Sequence, residues 1–499
     1  MSQESRSARI RTQLDHPVID ADGHIVEFLA PLEDYVREIG GSGYRVEFFD
    51  AHRWRTIDSV EERAFRGAVR PPWWGLPTAN TLDRATAALP ALLYERMGEL
   101  GLDYTVLFTT LMGALVVREG SSLVDAMHDP EIRQLRSRAA NAYRADLCRE
   151  FADRMTPAAD VPMNTPEEAI AELEYVTGEL GLKAISIMAV PRPIPELQRD
   201  HPALFERMGF LGTVGYALDT FGIDSPYDYD PFWKRCVELQ VPIFLHGPGI
   251  GWTARSSPSN YMYNHVGHFA EAGEAVCKSL FMGGVTKRFP ELRIAFLEGG
   301  AATGCRVYAD LVGRWKKRNG SALLERLDPR RLDRERFVAL HEQYGNDAIK
   351  RHLGRVLSHS GGVHPEEIDS PEMIDDFAPC GIERVEDLRD LFIPNFFFGC
   401  EADDPTNALA FRPELWPLGV SPKAIFSSDI GHWDVEEMNE VLAEAWELVD
   451  DGLLDEEDFR RFTFGNAVDL MAGANPAFFE GTAIAEDVAK LQASRSTSS

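Results

Sequence analysis

Eight short apolar runs recur along the 499-residue chain, near residues 18, 104, 157, 185, 243, 294, 396 and 425, with helix-forming segments between them. Runs such as Ala184-Ile185-Ser186-Ile187-Met188-Ala189-Val190 are too continuous to alternate between a dry and a wet face. Both faces must be covered, as in a parallel strand flanked by helices. The intervening segments carry helix signals. Asp129 is an N-cap with Pro130 at the first helical position, and Thr165-Pro166-Glu167-Glu168 opens a helix that Gly181 stops. Eight such units predict an α/β fold, a closed (β/α)8 TIM barrel. An open doubly wound sheet is the alternative, and the lack of a glycine-rich phosphate loop after any run counts against it. On this pattern one barrel domain spans residues 14–475, and 476–499 form a C-terminal extension. Long insertions over residues 29–80, after the first strand, and 306–391, after the sixth, take up the excess length.

In a barrel all strand C-termini open on one mouth, where loops build the site. Asp22 and His24 end the first run, His246 closes the fifth, Glu298 the sixth and Asp429 the eighth. Alternation along the first strand would put Asp20, Asp22 and His24 on one side. Taken singly, a His or Asp at a strand end is more often a satisfied turn residue than a catalytic one. Together, imidazoles and carboxylates converging on one mouth form a mixed nitrogen and oxygen donor set suited to Zn²⁺ or Mn²⁺. Asp20, one step deeper in the barrel, is left out of that set.

Charge excludes one class of partner. With 51 Lys and Arg against 80 Asp and Glu the net charge is −29, which leaves no basic reserve for displacing the counterions of nucleic acid. Cys148, Cys236, Cys277, Cys305, Cys380 and Cys400 are scattered without a C-x-x-C pair, which fits buried thiols in a reducing compartment. Residues 1–13 are polar, and no stretch approaches the length of apolar chain needed to span a bilayer. These features predict a cytoplasmic protein with a small-molecule substrate and no membrane partner.

Asp22-Gly23-His24, the Phe244-Leu245-His246 strand end, Glu298-Gly299-Gly300, Phe426-Ser427-Ser428-Asp429-Ile430-Gly431-His432 and the later Phe464-Gly465-Asn466-Ala467 together resemble the amidohydrolase superfamily. The resemblance is to its amidohydrolase-related branch, which contains aminocarboxymuconate semialdehyde decarboxylase and the nonoxidative hydroxybenzoate decarboxylases. It implies that Asp22, His24, His246 and Asp429 are metal ligands or face the metal. Asp22 stands where His or Glu is usual, and Glu298 stands where the branch's decarboxylases commonly carry a catalytic His. Glu298 is then either a general acid or base or a structural acid paired with Arg306. Lys183 precedes the fourth run rather than ending it, so the two-metal arrangement of other branches, with its carboxylated Lys, is not matched. One divalent metal is implied, Zn²⁺ first and Mn²⁺ second, and relatives of this kind form homodimers.

What the resemblance implies about chemistry is a metal-dependent nonoxidative decarboxylase of an aromatic or related unsaturated carboxylic acid. In that reaction Asp429 or Glu298 protonates the ring carbon as carbon dioxide leaves. A metal-dependent hydrolase of an amide, ester or lactone is the alternative, and a non-catalytic binding barrel the second alternative. His432, three residues past Asp429, supports that carboxylate or contacts substrate. His265 and His268 bind substrate or orient water, if they share a helix face; otherwise they are polar residues at a helix start. Arg192 receives a substrate carboxylate or lies on an exposed loop. Trp73 and Trp74, with Tyr261-Met262-Tyr263, favour a flat apolar substrate, or pack an irregular loop.

Overall fold

All eight apolar runs become strands of one parallel sheet in the computed structural model, which describes residues 4–48, 59–66, 69–70, 72, 74, 77–110, 114–118, 129–201, 215–247, 256–360 and 374–496. The strands are β1 (Ile19–Ile25), β2 (Tyr104–Thr109), β3 (Met155–Asp160), β4 (Ala184–Ile187), β5 (Ile243–Leu245), β6 (Ile294–Phe296), β7 (Phe396–Cys400) and β8 (Lys423–Phe426). Each pairs with the next in chain order. A parallel bridge between Gly23 and Ile430 joins the last to the first. Asp429 N–H donates to Asp22 O at 2.8 Å, and His24 N–H to Ile430 O at 2.7 Å, so the sheet closes into the expected barrel.

Closure explains the composition of the runs. Small Ala21, Ala158, Ala184 and Ala295 share the barrel interior with large Phe108, Phe244 and Phe397, and this mixture fills a tapered lumen at interior packing density. Outside, helices cover the strands. Asp129 caps the helix Pro130–Cys148 through Oδ1, and Thr165 Oγ1 caps Pro166–Gly178, as the sequence predicts. Glu168 does not complete a capping box; its carboxylate takes the Arg133 guanidinium at 2.7 Å instead. All six cysteines are unpaired and five are buried.

Three features differ from the sequence expectation. An antiparallel pair, Val190–Pro193 with Tyr216–Asp219, stands between β4 and β5, and a second joins Tyr44–Phe48 to Ala114–Arg118. Pro191 and Pro193 hide the first from sequence reading, because proline lacks a donor and suits only an edge ribbon. The helix Ala301–Arg318 buries Val307, Tyr308, Leu311 and Val312 in the core, within the stretch 306–391 that the sequence reads as an insertion. Past residue 475, Phe478, Phe479, Ile484 and Val488 bury in the same core as the barrel lumen, under Tyr104 at the start of β2. No helix among the described residues is long and apolar enough to cross a membrane.

Candidate metal centre

The first strand does not alternate evenly. Between Asp20 and Gly23 its register against β2 slips by one residue, and a Cβ on Gly23 would lie 2.7 Å from Thr105 Oγ1. The bulge separates the two acids. Asp20 is buried and accepts from Ser428 N and Ser428 Oγ at 2.8 Å each, Thr105 Oγ1 at 3.0 Å and Asp22 N at 3.2 Å. It fastens β1 to the end of β8, while Asp22 and His24 face the mouth.

At that mouth the side chains crowd together. His24 Nε2 lies 3.0 Å from Asp429 Oδ1, 3.5 Å from Asp22 Oδ1 and 3.7 Å from Glu298 Oε1. His246 Nε2 lies 3.2 Å from both His24 Nε2 and Glu298 Oε1, and 3.5 Å from Asp22 Oδ1. Glu298 therefore belongs to this cluster, and Arg306 pairs with Glu274 instead. Two residues reach it through unusual backbone: Glu298 and Asp429 each have φ of 55°. A left-handed turn at a non-glycine residue costs about 1 kcal/mol and concentrates at working sites. Here it turns each acid out of its strand and into the mouth.

The donor atoms fit a cation. Both oxygens of Asp22, both of Glu298, Oδ1 of Asp429 and Nδ1 of His24 are buried without a hydrogen-bond partner. Buried carboxylates in that condition are costly unless a positive charge neutralises them. Asp22, His24, His246 and Glu298 offer ligand atoms within 4.8 Å of one another, as do His24, Glu298, Asp429 and His432, so the cluster is able to hold a metal ion. Electrostatics agree. Burial, then repulsion from Glu298 and Asp429, raises the Asp22 carboxyl well above the ordinary range. Burial works against charge on His432, but the carboxylates of Asp429 and Glu298 outweigh it and push the imidazolium up to about 10.

Around this centre lie the other sequence-predicted residues. His432 Nδ1 is 3.0 Å from Asp429 Oδ2, and its ring stacks on His24 with centroids 4.6 Å apart. His265 and His268 are adjacent, with ring centroids at 4.7 Å, but Gly267 at φ 76° breaks the helix between them, so they do not share one helical face. His268 Nδ1 bonds the His265 carbonyl, and burial pulls its pKa down to about 4. Trp74 meets Tyr261 edge-on at 5.3 Å, and Tyr261 in turn packs on His265. Trp73 falls outside the described residues.

Arg192 is placed elsewhere. Its guanidinium bonds Asp219 Oδ2 at 2.8 and 2.9 Å, Asn164 O at 2.7 Å and Tyr229 OH at 3.0 Å, which clips the Val190–Pro193 ribbon to its partner strand. All three guanidinium nitrogens are engaged within the fold, so the side chain is committed to holding the ribbon. Sequence reasoning also missed Glu401, which follows β7 and groups with Asp429 and Asp434. Burial, and then the Asp429 and Glu298 charges, push it up to about 7 against the bond that Cys400 Sγ donates at 2.6 Å. The signal was available: Glu401 ends the apolar run Phe396-Phe397-Phe398-Gly399-Cys400 just as Glu298 ends its own.

Comparison with known proteins places the chain. It belongs to the amidohydrolase family, whose model matches residues 19–350. Curated relatives include the decarboxylase orsB of Emericella nidulans, 27% identical over 153 residues, covering 28% of this chain and 44% of the relative. Another is the 2-amino-3-carboxymuconate-6-semialdehyde decarboxylase of Caenorhabditis elegans, 22% identical over 284 residues, covering 48% of this chain and 66% of the relative. The match thus spans between about two fifths and two thirds of these relatives' length. Among solved structures, an amidohydrolase of Mycobacterium avium subsp. paratuberculosis K-10 is 18% identical with a TM-score of 0.49, covering 92% of this chain and 100% of that one.

Proposed function

We propose that the chain is a metal-dependent nonoxidative decarboxylase acting on an aromatic or related unsaturated carboxylic acid. The observation that carries the proposal is the set of buried, unpartnered carboxylate oxygens of Asp22, Glu298 and Asp429 beside His24 and His246, in a family whose curated relatives here are named decarboxylases. Asp22, His24, His246 and Asp429 would hold one divalent ion, Zn²⁺ in preference to Mn²⁺. Such an ion supplies Lewis-acid stabilisation of the negative charge that builds on substrate oxygens.

The remaining steps belong to the chain's own side chains. His432 Nδ1, 3.0 Å from Asp429 Oδ2, holds a proton where Asp429 can take it up and pass it on. Asp429 delivers that proton to the ring carbon, the bond from that carbon to the carboxylate breaks, carbon dioxide leaves, and the bonding electron pair ends in the new C–H bond. Glu298 Oε1 lies 3.2 Å from His246 Nε2, the nitrogen that faces the cluster, and is a further carboxylate able to act there as acid or base. Tyr261 and Trp74 present aromatic faces near His265, which suits a flat substrate.

Incubation of metal-loaded protein with a panel of hydroxybenzoates in deuterated water tests the reaction. Ring deuteration and release of the corresponding phenol are expected. Turnover of amide or lactone probes with no ring deuteration anywhere in the panel would replace the decarboxylase with a hydrolase. We extend the family resemblance to a cytoplasmic homodimer, for which native mass measurement should give twice the 55.8 kDa chain.

A further inference from the structure

We infer that Arg136, in a cavity that Glu27 also lines, receives a second anionic group on the substrate, so that the preferred substrates are acids carrying another anionic group across an apolar body. The inference rests on the reading of the metal centre as the place where the reacting acid is held.

A cavity of about 300 Å³ opens at the strand ends, lined by Thr109, Asp160, Ser186, Leu245 and Gly247 among others. Thr109, Asp160, Ser186 and Leu245 lie at the C-terminal ends of their strands, so the cavity opens at the same end of the barrel as the metal centre. Its walls are largely apolar; Val190, Pro191 and Leu218 from the antiparallel ribbon close one side. Two arginines of the helix Pro130–Cys148 line it. Arg133 is taken by Glu168 at 2.7 Å. Arg136, one turn on, makes no hydrogen bond or ion pair among the described residues, although it is only partly exposed.

An unpaired guanidinium in an apolar cavity is destabilising unless a ligand supplies the missing anion. Its nearest charge, Asp160, is held by Arg144 Nη2 at 2.8 Å. Burial depresses the Arg136 pKa, with Asp160 acting weakly the other way, as expected of a cation waiting for a partner. Glu27 adds a second polar group to the lining: its Oε2 is buried without a hydrogen-bond partner, and burial raises its carboxyl above the ordinary range. A planar guanidinium fork suits a carboxylate, which accepts two parallel bonds from it.

The test uses full-length, metal-loaded protein and calorimetric binding of two unreactive probes, benzoate and isophthalate. Wild type should bind isophthalate about tenfold or more tighter than benzoate, the range of one charge-assisted pair. In Arg136→Gln the ratio of the two affinities should fall to about one, and in Arg136→Lys to an intermediate value. Equal affinities in the wild type would overturn the inference without any variant, and so would a ratio that survives in a folded, metal-loaded R136Q. Turnover of hydroxybenzoates is read separately. A wild type that turns over hydroxybenzoates without preferring isophthalate refutes the Arg136 site alone, and a wild type that prefers isophthalate without turnover refutes the reaction alone.

Discussion

Replacing Asp20 by Ala separates the support of the metal centre from its ligands. Asp20 is fully buried, and its carboxylate accepts four hydrogen bonds, from Ser428 N and Oγ at 2.8 Å, Thr105 Oγ1 at 3.0 Å and Asp22 N at 3.2 Å. Each buried donor left without its acceptor costs roughly 1–3 kcal/mol, and because the two hydroxyls can turn to other partners while the two N–H groups cannot, the net cost is about 3 kcal/mol. The damage should also reach the metal. Asp22 N is adjacent to one donor carboxylate and Ser428 N to the other, so metal affinity should fall about 10- to 100-fold, as when any group that orients a ligand is removed. Competition with a chromophoric chelator measures the affinity, and urea titration of the metal-free protein measures the stability. Asp20→Asn keeps the acceptor for both N–H groups and should recover most of each loss. D20A with metal affinity within about threefold of wild type would refute the positioning role.

The other predictions concern groups with distinct tasks. Asp429→Asn should abolish turnover while leaving the far-ultraviolet circular dichroism unchanged; retained activity would remove Asp429 from the mechanism. Arg192→Met should lower stability by about 2 kcal/mol, because it strips the 1%-exposed Asp219 carboxylate of its cation, yet shift the affinity of a reacting acid far less than any metal-ligand substitution. A folded R192M that loses substrate affinity completely would restore Arg192 to the binding site. Glu172 is pushed up to about 7 from an ordinary 4.5 by burial, against the bonds from Asn141 and Gln134. Its folded state holds the proton more tightly than the unfolded state, so this group's stabilisation is present at low pH and is lost as pH rises from about 4.5 to about 7. Between pH 5 and 8, wild type should therefore lose up to about 3 kcal/mol relative to Glu172→Gln in parallel urea titrations, and a pH-independent difference would contradict this.

Much of the fold was legible because its signals are local. Unbroken runs such as Ile243-Phe244-Leu245 must be covered on both faces, and eight of them with helices between leave few options but a closed parallel barrel. The residues the structure gathers at the mouth were legible for a related reason: His246, Glu298 and Asp429 each interrupt apolar sequence at a strand end. Glu401 obeys the same rule, directly after the strand that ends at Cys400. What sequence could not give depends on tertiary partners. Arg192 and Arg136 look alike on paper, one after a strand and one on a helix; only the fold shows that Asp219 occupies the first and that a cavity faces the second. The bulge that parts Asp20 from Asp22 is likewise invisible without Thr105, which stands 2.7 Å from where a Gly23 side chain would begin.

Metal content bears most directly on the central claim, that Asp22, His24, His246 and Asp429 form a cation site. Protein dialysed metal-free, reconstituted with Zn²⁺ or Mn²⁺, freed of excess and analysed by plasma mass spectrometry should hold one equivalent per chain, and His246→Ala should lose most of it. Less than about one-tenth equivalent in the wild type, with none taken up at any ratio of added metal, would contradict the account.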